Sequence, residues 1–361
     1  MTSIIELMKE LPEGYEAACY AKKAIQRKRG IENPNDLMML SMFHLFKGCS
    51  LVEISAIGKL AKLGNVSDVA FMKRFENCND WFAWNAERLI SDCAIEYEKP
   101  DWIEEYRVLA VDASEVYEKG CSRRSYRLHF ALDLFKMCCE EYKITTQKTG
   151  ESLRNFEIKE GDLIVGDRIY STLGGIKHCL DNGANFVMRI RNKAFNLYDA
   201  QNERINLPEH LEKLKDEEIL DLRIFARLDG KAGIPLRICA MRKNPEAIDK
   251  TQRYLVQKQS RAGRKFSEEA LAFNNYIVVI TALPDSISAG QILELYRWRW
   301  QVELYFKRLK SIMDFGEMPK KRPQSVFAWL NGKMMIALLI EKIIGKPSFS
   351  PEIQRQAEHL A

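Results

Sequence analysis

The sequence predicts a mixed α+β protein with an all-helical N-terminal domain, a core of mixed sheet and a mostly β insertion before a closing helical segment. Three observations predict it. Apolar residues recur at three- and four-residue spacing up to about residue 98, with almost no strand-like alternation. From Tyr106 the texture changes to short alternating or continuous apolar runs, the pattern of strands. Residues 191 to 286 interrupt that core with strand-like pieces between charged, turn-rich segments, and a helical pattern returns at Ala289.

The helical part has readable starts. Ser50 with Glu53 forms a capping box before Leu51, Ile54, Ile57 and Leu60. After a break at Gly64 and Asn65, Ser67 and Asp68 open a helix carrying Val69, Phe71, Met72 and Phe75, and Asn79 starts a third through Trp81, Trp84 and Leu89. Three short helices with a tight turn suit a helix-turn-helix DNA reader and equally a plain packing unit. In the core, YRVLAVDAS, SYRLHFALDLF and CCEEYKITT read as three successive strands. A helix-like stretch at Glu151 to Glu160 leads to DLIVGDRIYS as a fourth, and a helix over Ser171 to Asn182 leads to ANFVMRI as a fifth. Three meandering strands followed by two crossovers is the element order of a ribonuclease H-like sheet. Within the insertion, ILDLRIFARL, LRICAMR and NNYIVVITAL are strand-like. Ala289 to Ile312 reads as one long amphipathic helix and residues 323 to 345 as a further packing helix. The expected division is 1–98, 99–190, 191–286 and 287–361.

Bulk properties agree with a folded chain. The 361 residues are 46% hydrophobic and 29% charged, enough for a sizeable core in two or three domains. No apolar stretch reaches the roughly 18 to 20 residues that span a bilayer. The nine cysteines include no CxxC pair, and the first residues lack a basic, then apolar, export signal. Reduced thiols, no membrane and a cytoplasmic location are therefore expected. Net charge is +5, and the excess is C-terminal: residues 287–361 carry 12 basic against 7 acidic side chains. Lys250 to Lys265 holds six basic residues and no acid, a segment able to track a phosphate backbone or simply to form a solvated helix face.

Asp112 ends the apolar run Val108 to Val111, and Asp167 ends Leu163 to Gly166. Two strand-end acids converge if their strands are neighbours, and converging carboxylates bind hard divalent cations. Singly, either Asp is as well explained as a turn cap. On the helix LYRWRWQVELYFKRLKS, at roughly 100° per residue, Tyr296, Arg299, Glu303 and Lys310 fall at about 0°, 300°, 340° and 320°. Lys307 borders that stripe at about 20°. An acid set among cations on one face suits a metal ligand flanked by phosphate contacts; an i to i+4 charge ladder explains the same charges but not the two aspartates. Arg297 lies off the stripe, and His129 reads as a packed strand histidine rather than a catalyst.

These residues resemble the DDE transposases of bacterial insertion sequences, within them insertion sequence family 4. Tyr296, Arg299, Glu303 and Lys310 match that family's Tyr, two residues, Arg, three residues, Glu, six residues, Lys motif in full. Asp112 with Ser114, the Arg127-Leu128-His129 strand and the block Asp167, Arg168, Tyr170, Ser171 are also similar, so the likeness runs from about Leu51 to Ala337. Ile169 departs from the glycine many members place there, and the tail ending at Ala361 is short for the family, which is expected to weaken dimer assembly.

The resemblance implies strand cleavage and joining at transposon ends, with Asp112, Asp167 and Glu303 holding two magnesium ions, manganese being the alternative ion. It implies DNA contacts from Tyr296, Arg299, Lys307 and Lys310. It also implies double-stranded DNA as partner, as terminal inverted repeats and target, bound by a homodimer. The other readings are a structure-specific nuclease on the same fold and a non-catalytic DNA-binding descendant.

Overall fold

The structure is a computed structural model, describing residues 3–92, 98–227, 233–263, 265–313 and 315–344. The N-terminal helices are α1 (Ile4–Lys9), α2 (Tyr15–Ala21), α3 (Pro34–Phe46), α4 (Leu51–Leu60), α5 (Asp68–Glu76) and α6 (Asn79–Ser91). Ser50 and Glu53 form the expected capping box, and Ser67 caps α5 by accepting from the Ala70 amide. The break after α4 is a close backbone crossing, in which the Asn65 amide donates to the Gly30 carbonyl at 2.7 Å. A Cβ on Gly30 would stand 2.7 Å from the Asn65 carbonyl oxygen, so only glycine fits there.

The sheet follows as β1 (Arg107–Glu118), β2 (Cys121–Asp133), β3 (Cys138–Thr146) and β4 (Asp162–Gly166). Next come α7 (Leu173–Asp181), β5 (Asn185–Arg189), β6 (Leu197–Tyr198), α8 (Leu207–Glu212), β7 (Ile219–Ala226) and β8 (Ile234–Arg242). Then α9 (Pro245–Ala262), α10 (Glu268–Phe273), β9 (Tyr276–Thr281), α11 (Ala289–Trp298), α12 (Trp300–Met313), β10 (Glu317–Met318) and α13 (Pro323–Ile344) complete the described chain. The strand order is β3-β2-β1-β4-β5-β9-β8-β7-β6, with β10 beside β1. The first five strands, antiparallel through β3-β2-β1 and parallel through β1-β4-β5, are the ribonuclease H-like arrangement. Arg107 ties the start of β1 to its register partner on β4, donating to Asp162 at 2.7 Å, and also reaches Glu140 at 2.6 Å.

Alternation along each strand separates two cores. Val108, Ala110, Leu163, Val165, Val187, Cys239 and Val279 share one core with α11, α12, α13 and the N-terminal helices. Leu109, Val111, Ile164, Phe186, Met188 and Ile238 face the other, which includes Ile176 and Cys179 of α7.

Several sequence expectations change. Strands of the insertion do not form a separate sheet: β9 is antiparallel to β5 and β8 to β9, so they extend the central sheet. The basic segment lies largely on a helix, α9, capped by Asn244, begun by Pro245 and closed by Gly263 in the left-handed conformation. Glu151 to Glu160 contributes only a single tight turn at Leu153–Asn155. The long helix predicted from Ala289 is two helices, broken at Arg299. The N-terminal helices do not pack alone, because α13 lies against α6, α3 and α5. Cys19, Cys49, Cys78, Cys138, Cys139, Cys179 and Cys239 form no disulfide among the described residues. No helix of the described residues is long and apolar enough to cross a membrane. The tail ending at Ala361 lies outside the described residues, as does Arg264 of the basic run.

Candidate active site

The β1–β4 ladder positions the two aspartates. Val111 pairs with Gly166 in parallel register, so the next residue along each segment is an aspartate: Asp167 just past the end of β4, and Asp112 within β1, which runs on to Glu118 instead of ending there as expected. Both continue the alternation of Ala110 and Val165, which places them on the sheet face covered by α11 and α12. Asp112 is drawn further in, its Oδ1 accepting from the Ala113 amide at 2.8 Å. Burial pushes its carboxyl up to about 6. The Ala113 amide and Arg299 oppose that rise, while the negative charges of Glu303 and Asp167 add to it.

The helix pair brings the third acid. Ser288 and Gln291 cap α11 with a capping box. The buried Arg237 pins the preceding loop to the sheet through the carbonyls of Pro284 at 2.7 Å and Ile287 at 3.0 Å. Trp298, at the end of α11, packs against Phe135 with centroids 5.5 Å apart, and Tyr305 of α12 stacks on Phe130 at 4.4 Å. With both helices anchored, the chain turns at Arg299, and the first turn of α12 carries Glu303 toward β1. Arg299 donates to Glu303 Oε1 at 2.5 Å and its guanidinium lies 5.7 Å from the Tyr296 ring. It is also attracted by Asp167. One arginine thus serves as counter-ion to all three acids, while its Nε is buried without an acceptor.

A cleft of about 560 Å³ opens on the β1 side, lined by Asp112, Ser114, Glu303, Phe306, Lys307 and Lys310 among others. Asp167 stands outside that lining, immediately after β4. Lys307 and Lys310 are exposed, whereas Tyr296 is buried at 8% exposure and offers a ligand little surface. Three carboxylates form the oxygen donor set that hard divalent cations take. Among the described residues, however, no three acidic, histidine or cysteine side chains stand close enough to enclose a metal ion together. Here Arg299 supplies the positive charge between them. By donor chemistry the residues fit a divalent cation; the arrangement is one in which Arg299 neutralises them.

Sequence reasoning missed a cluster on the other face of the sheet. Arg127 pairs with Glu115 at 2.9 Å and lies 3.5 Å from Glu151. The Tyr170 hydroxyl, near Asp112 and Glu151, is buried without a partner. Tyr170 itself was legible in the block after Asp167; Glu151, on a loop without periodicity, carried no signal. His129 is a structural residue, its Nε2 2.9 Å from Thr145 Oγ1 and its ring edge-on to Phe156. Ile169 is tolerated because it does not need the left-handed backbone that would favour glycine. Its turn closes with the Tyr170 amide donating to the Asp167 carbonyl at 3.0 Å.

The family model for the transposase DDE domain matches residues 103–339, spanning the sheet, both helices and most of α13. The chain is 27% identical to the InsL protein of insertion sequence element IS186A of Escherichia coli strain K12 over 339 residues, covering 92% of this chain and 91% of that one. It is 27% identical, with the same coverage of each chain, to the transposase for insertion sequence element IS421 of Escherichia coli. A shorter match, 23% over 206 residues, joins 52% of this chain to 43% of the transposase for insertion sequence element IS231F of Bacillus thuringiensis subsp. israelensis. Read with the register that sets Asp112 beside Asp167 and the helix that adds Glu303, this coverage gives the family: the chain belongs to the DDE transposases, among those of insertion sequence family 4.

Proposed function

We propose that this transposase cleaves and joins DNA strands at the ends of its insertion sequence through a site made of Asp112, Asp167 and Glu303. The observation that carries the reading is the β1–β4 register, which sets the two aspartates side by side under the helix bearing Glu303. DDE transposases depend on a divalent metal; magnesium is proposed here, two ions held by the three carboxylates, with manganese as substitute. The metal, when bound, polarises the scissile phosphate and lowers the pKa of the attacking water or 3′-hydroxyl.

The chain's own residues do the rest. Buried Asp112 must surrender any proton before it can act as a ligand, and Arg299 favours that loss. When the acids gain another counter-charge, Arg299 is released from Glu303 and its unpaired Nε–H can donate to a phosphate oxygen. Tyr296 acts mainly by backing the guanidinium. Lys307 and Lys310, exposed at the cleft, hold phosphates beside the scissile bond. Terminal inverted repeats and target DNA are the proposed substrates and a homodimer the proposed assembly, with residues 1–98 reading the ends and working in the cytoplasm.

Incubating the full chain with magnesium and a plasmid carrying the element with its flanking DNA tests this reading. Excision and strand-transfer joints are expected. Nicking without joints at any magnesium concentration would make the protein a nuclease of the same fold instead.

A further inference from the structure

A second set of cations sits along the same sheet edge, away from Lys307 and Lys310. Strands β5 and β8 are both antiparallel to β9, so their C-terminal ends lie at the edge where β4 ends beside Asp112 of β1. Arg168 follows Asp167 there, Arg189 ends β5, and Lys243 follows β8. Arg189 continues the alternation of Val187, and Lys243 that of Cys239 and Met241, which puts both on the face that bears α11 and the acids. Lys243 is held at this edge by its amide, donating to the Asn275 carbonyl at 3.0 Å, and by its Nζ, donating to Thr251 Oγ1 at 3.1 Å.

The three side chains are half-buried and share one electrostatic environment. Burial first, then repulsion from Arg189 and Arg168, pulls the Lys243 ammonium down to about 8. Tyr296 feels Arg189, Arg299 and Asp167 together, which ties this set to the acids. Among the described residues no carboxylate forms an ion pair with Arg168, Arg189 or Lys243. Like charges gathered without an ion-pair partner cost energy in the free protein, a cost that an arriving anion removes.

We propose that Arg168, Arg189 and Lys243 form a phosphate-binding site for the DNA backbone on the β5–β8 side of the acids, separate from the one at Lys307 and Lys310 on the β1 side. The inference rests on the transposase reading. A strand crossing the acids is then held on both sides, and α9, which starts two residues after Lys243 with Lys250, Arg253 and Lys258, extends the basic track outward.

The test measures binding of a fluorescein-labelled duplex carrying one end of the element to the full chain in EDTA, as a function of salt. Arg189→Ala and Lys243→Gln should each lower the slope of log Kd against log salt by about 0.9, one phosphate contact apiece. Lys243→Gln keeps a donor for Thr251, so its fold is preserved while its charge is lost; Lys243→Arg should retain the wild-type slope. Combining Lys243→Gln with Lys310→Ala should lower the slope additively, because the two sites are separate. Lys177→Ala, paired with Asp181 on α7 across the sheet, should match wild type. Wild-type slopes for both Arg189→Ala and Lys243→Gln, with Lys310→Ala reduced, would overturn this site and leave the transposase reading intact. No binding of the duplex by the wild-type chain would overturn both.

Discussion

Arg299 and Glu303 form an ion pair at 2.5 Å across the point where the predicted single helix breaks, with the Arg299 side chain only 12% exposed. Four residues apart, they could have been a surface ladder worth a few tenths of a kcal/mol. Burial changes their meaning, since Arg299 also answers the charges of Asp112 and Asp167.

Arg299 and Lys310 should therefore behave differently. Lys310→Ala, at an exposed position, should lower the salt slope of DNA binding by about 0.9 and cleavage modestly. Arg299→Ala should depress cleavage far more than it changes the slope, because it removes the counter-ion of the acids. The two variants compared in salt-titrated binding and in plasmid cleavage decide this; equal slopes lost by both would make Arg299 a simple phosphate contact.

Acid should destabilise the fold in a defined window. Burial holds His44 and His129 down to about 4, below the ordinary value of 6.5. The unfolded chain therefore binds more protons between those values, and the stability gained by keeping both rings neutral is complete above pH 6.5 and lost as pH falls toward 4. Each contributes up to about 1.4 kcal/mol per pH unit there. Urea unfolding at pH 7.5 and 4.5 should show the loss, and His129→Gln should make the curve shallower; an unchanged pH dependence would mean that His129 is not neutral in the fold.

Packing of α13 on the N-terminal helices can be tested at Gly332. A side chain there would run into Leu45 of α3 and approach Phe82 of α6 at 3.1 Å. Gly332→Val should cost about 1–3 kcal/mol by overpacking, read by urea unfolding. A variant as stable as wild type would show that these helices part freely.

DNA reading by α5 is best tested in the whole chain, since α13 covers the apolar faces of α3, α5 and α6 and a fragment ending at residue 98 would expose them. Val69 is 59% exposed and Lys73 is exposed on α5, while Arg74 is committed to the carbonyls of Arg27, Arg29 and Ile31. Val69→Asp with Lys73→Ala should weaken binding to element ends more than to random duplex. Equal loss on both would move recognition to the insertion and α9.

Much of this was legible in sequence because it is local. Caps at Ser50 and Ser67 follow from one hydroxyl and a few amides, and the strand segments leading into Asp112 and Asp167 from uninterrupted apolar runs, although β1 continues past Asp112 to Glu118. What escaped depends on distant partners. Nothing between Trp298 and Trp300 breaks a helix; the bend comes from anchoring on Phe135 and Phe130, on β2 and the residues after it. α9 has few buried residues, so its charges left open a solvated helix face or a phosphate track, and no apolar stripe fixed its bounds although Asn244, Pro245 and Gly263 mark its ends. Arg189 and Lys243 are 54 residues apart and meet only once β8 joins the sheet through β9.

The central claim is that Asp112, Asp167 and Glu303 act as one metal-binding unit, and it is tested most directly by cleavage of element ends in magnesium by Asp112→Asn, Asp167→Asn and Glu303→Gln. Each substitution keeps the shape of the side chain and removes its charge, so each should abolish cleavage while binding of the element ends survives on cations elsewhere. Near-wild-type cleavage by any one of the three folded variants would contradict the account and remove that residue from the site.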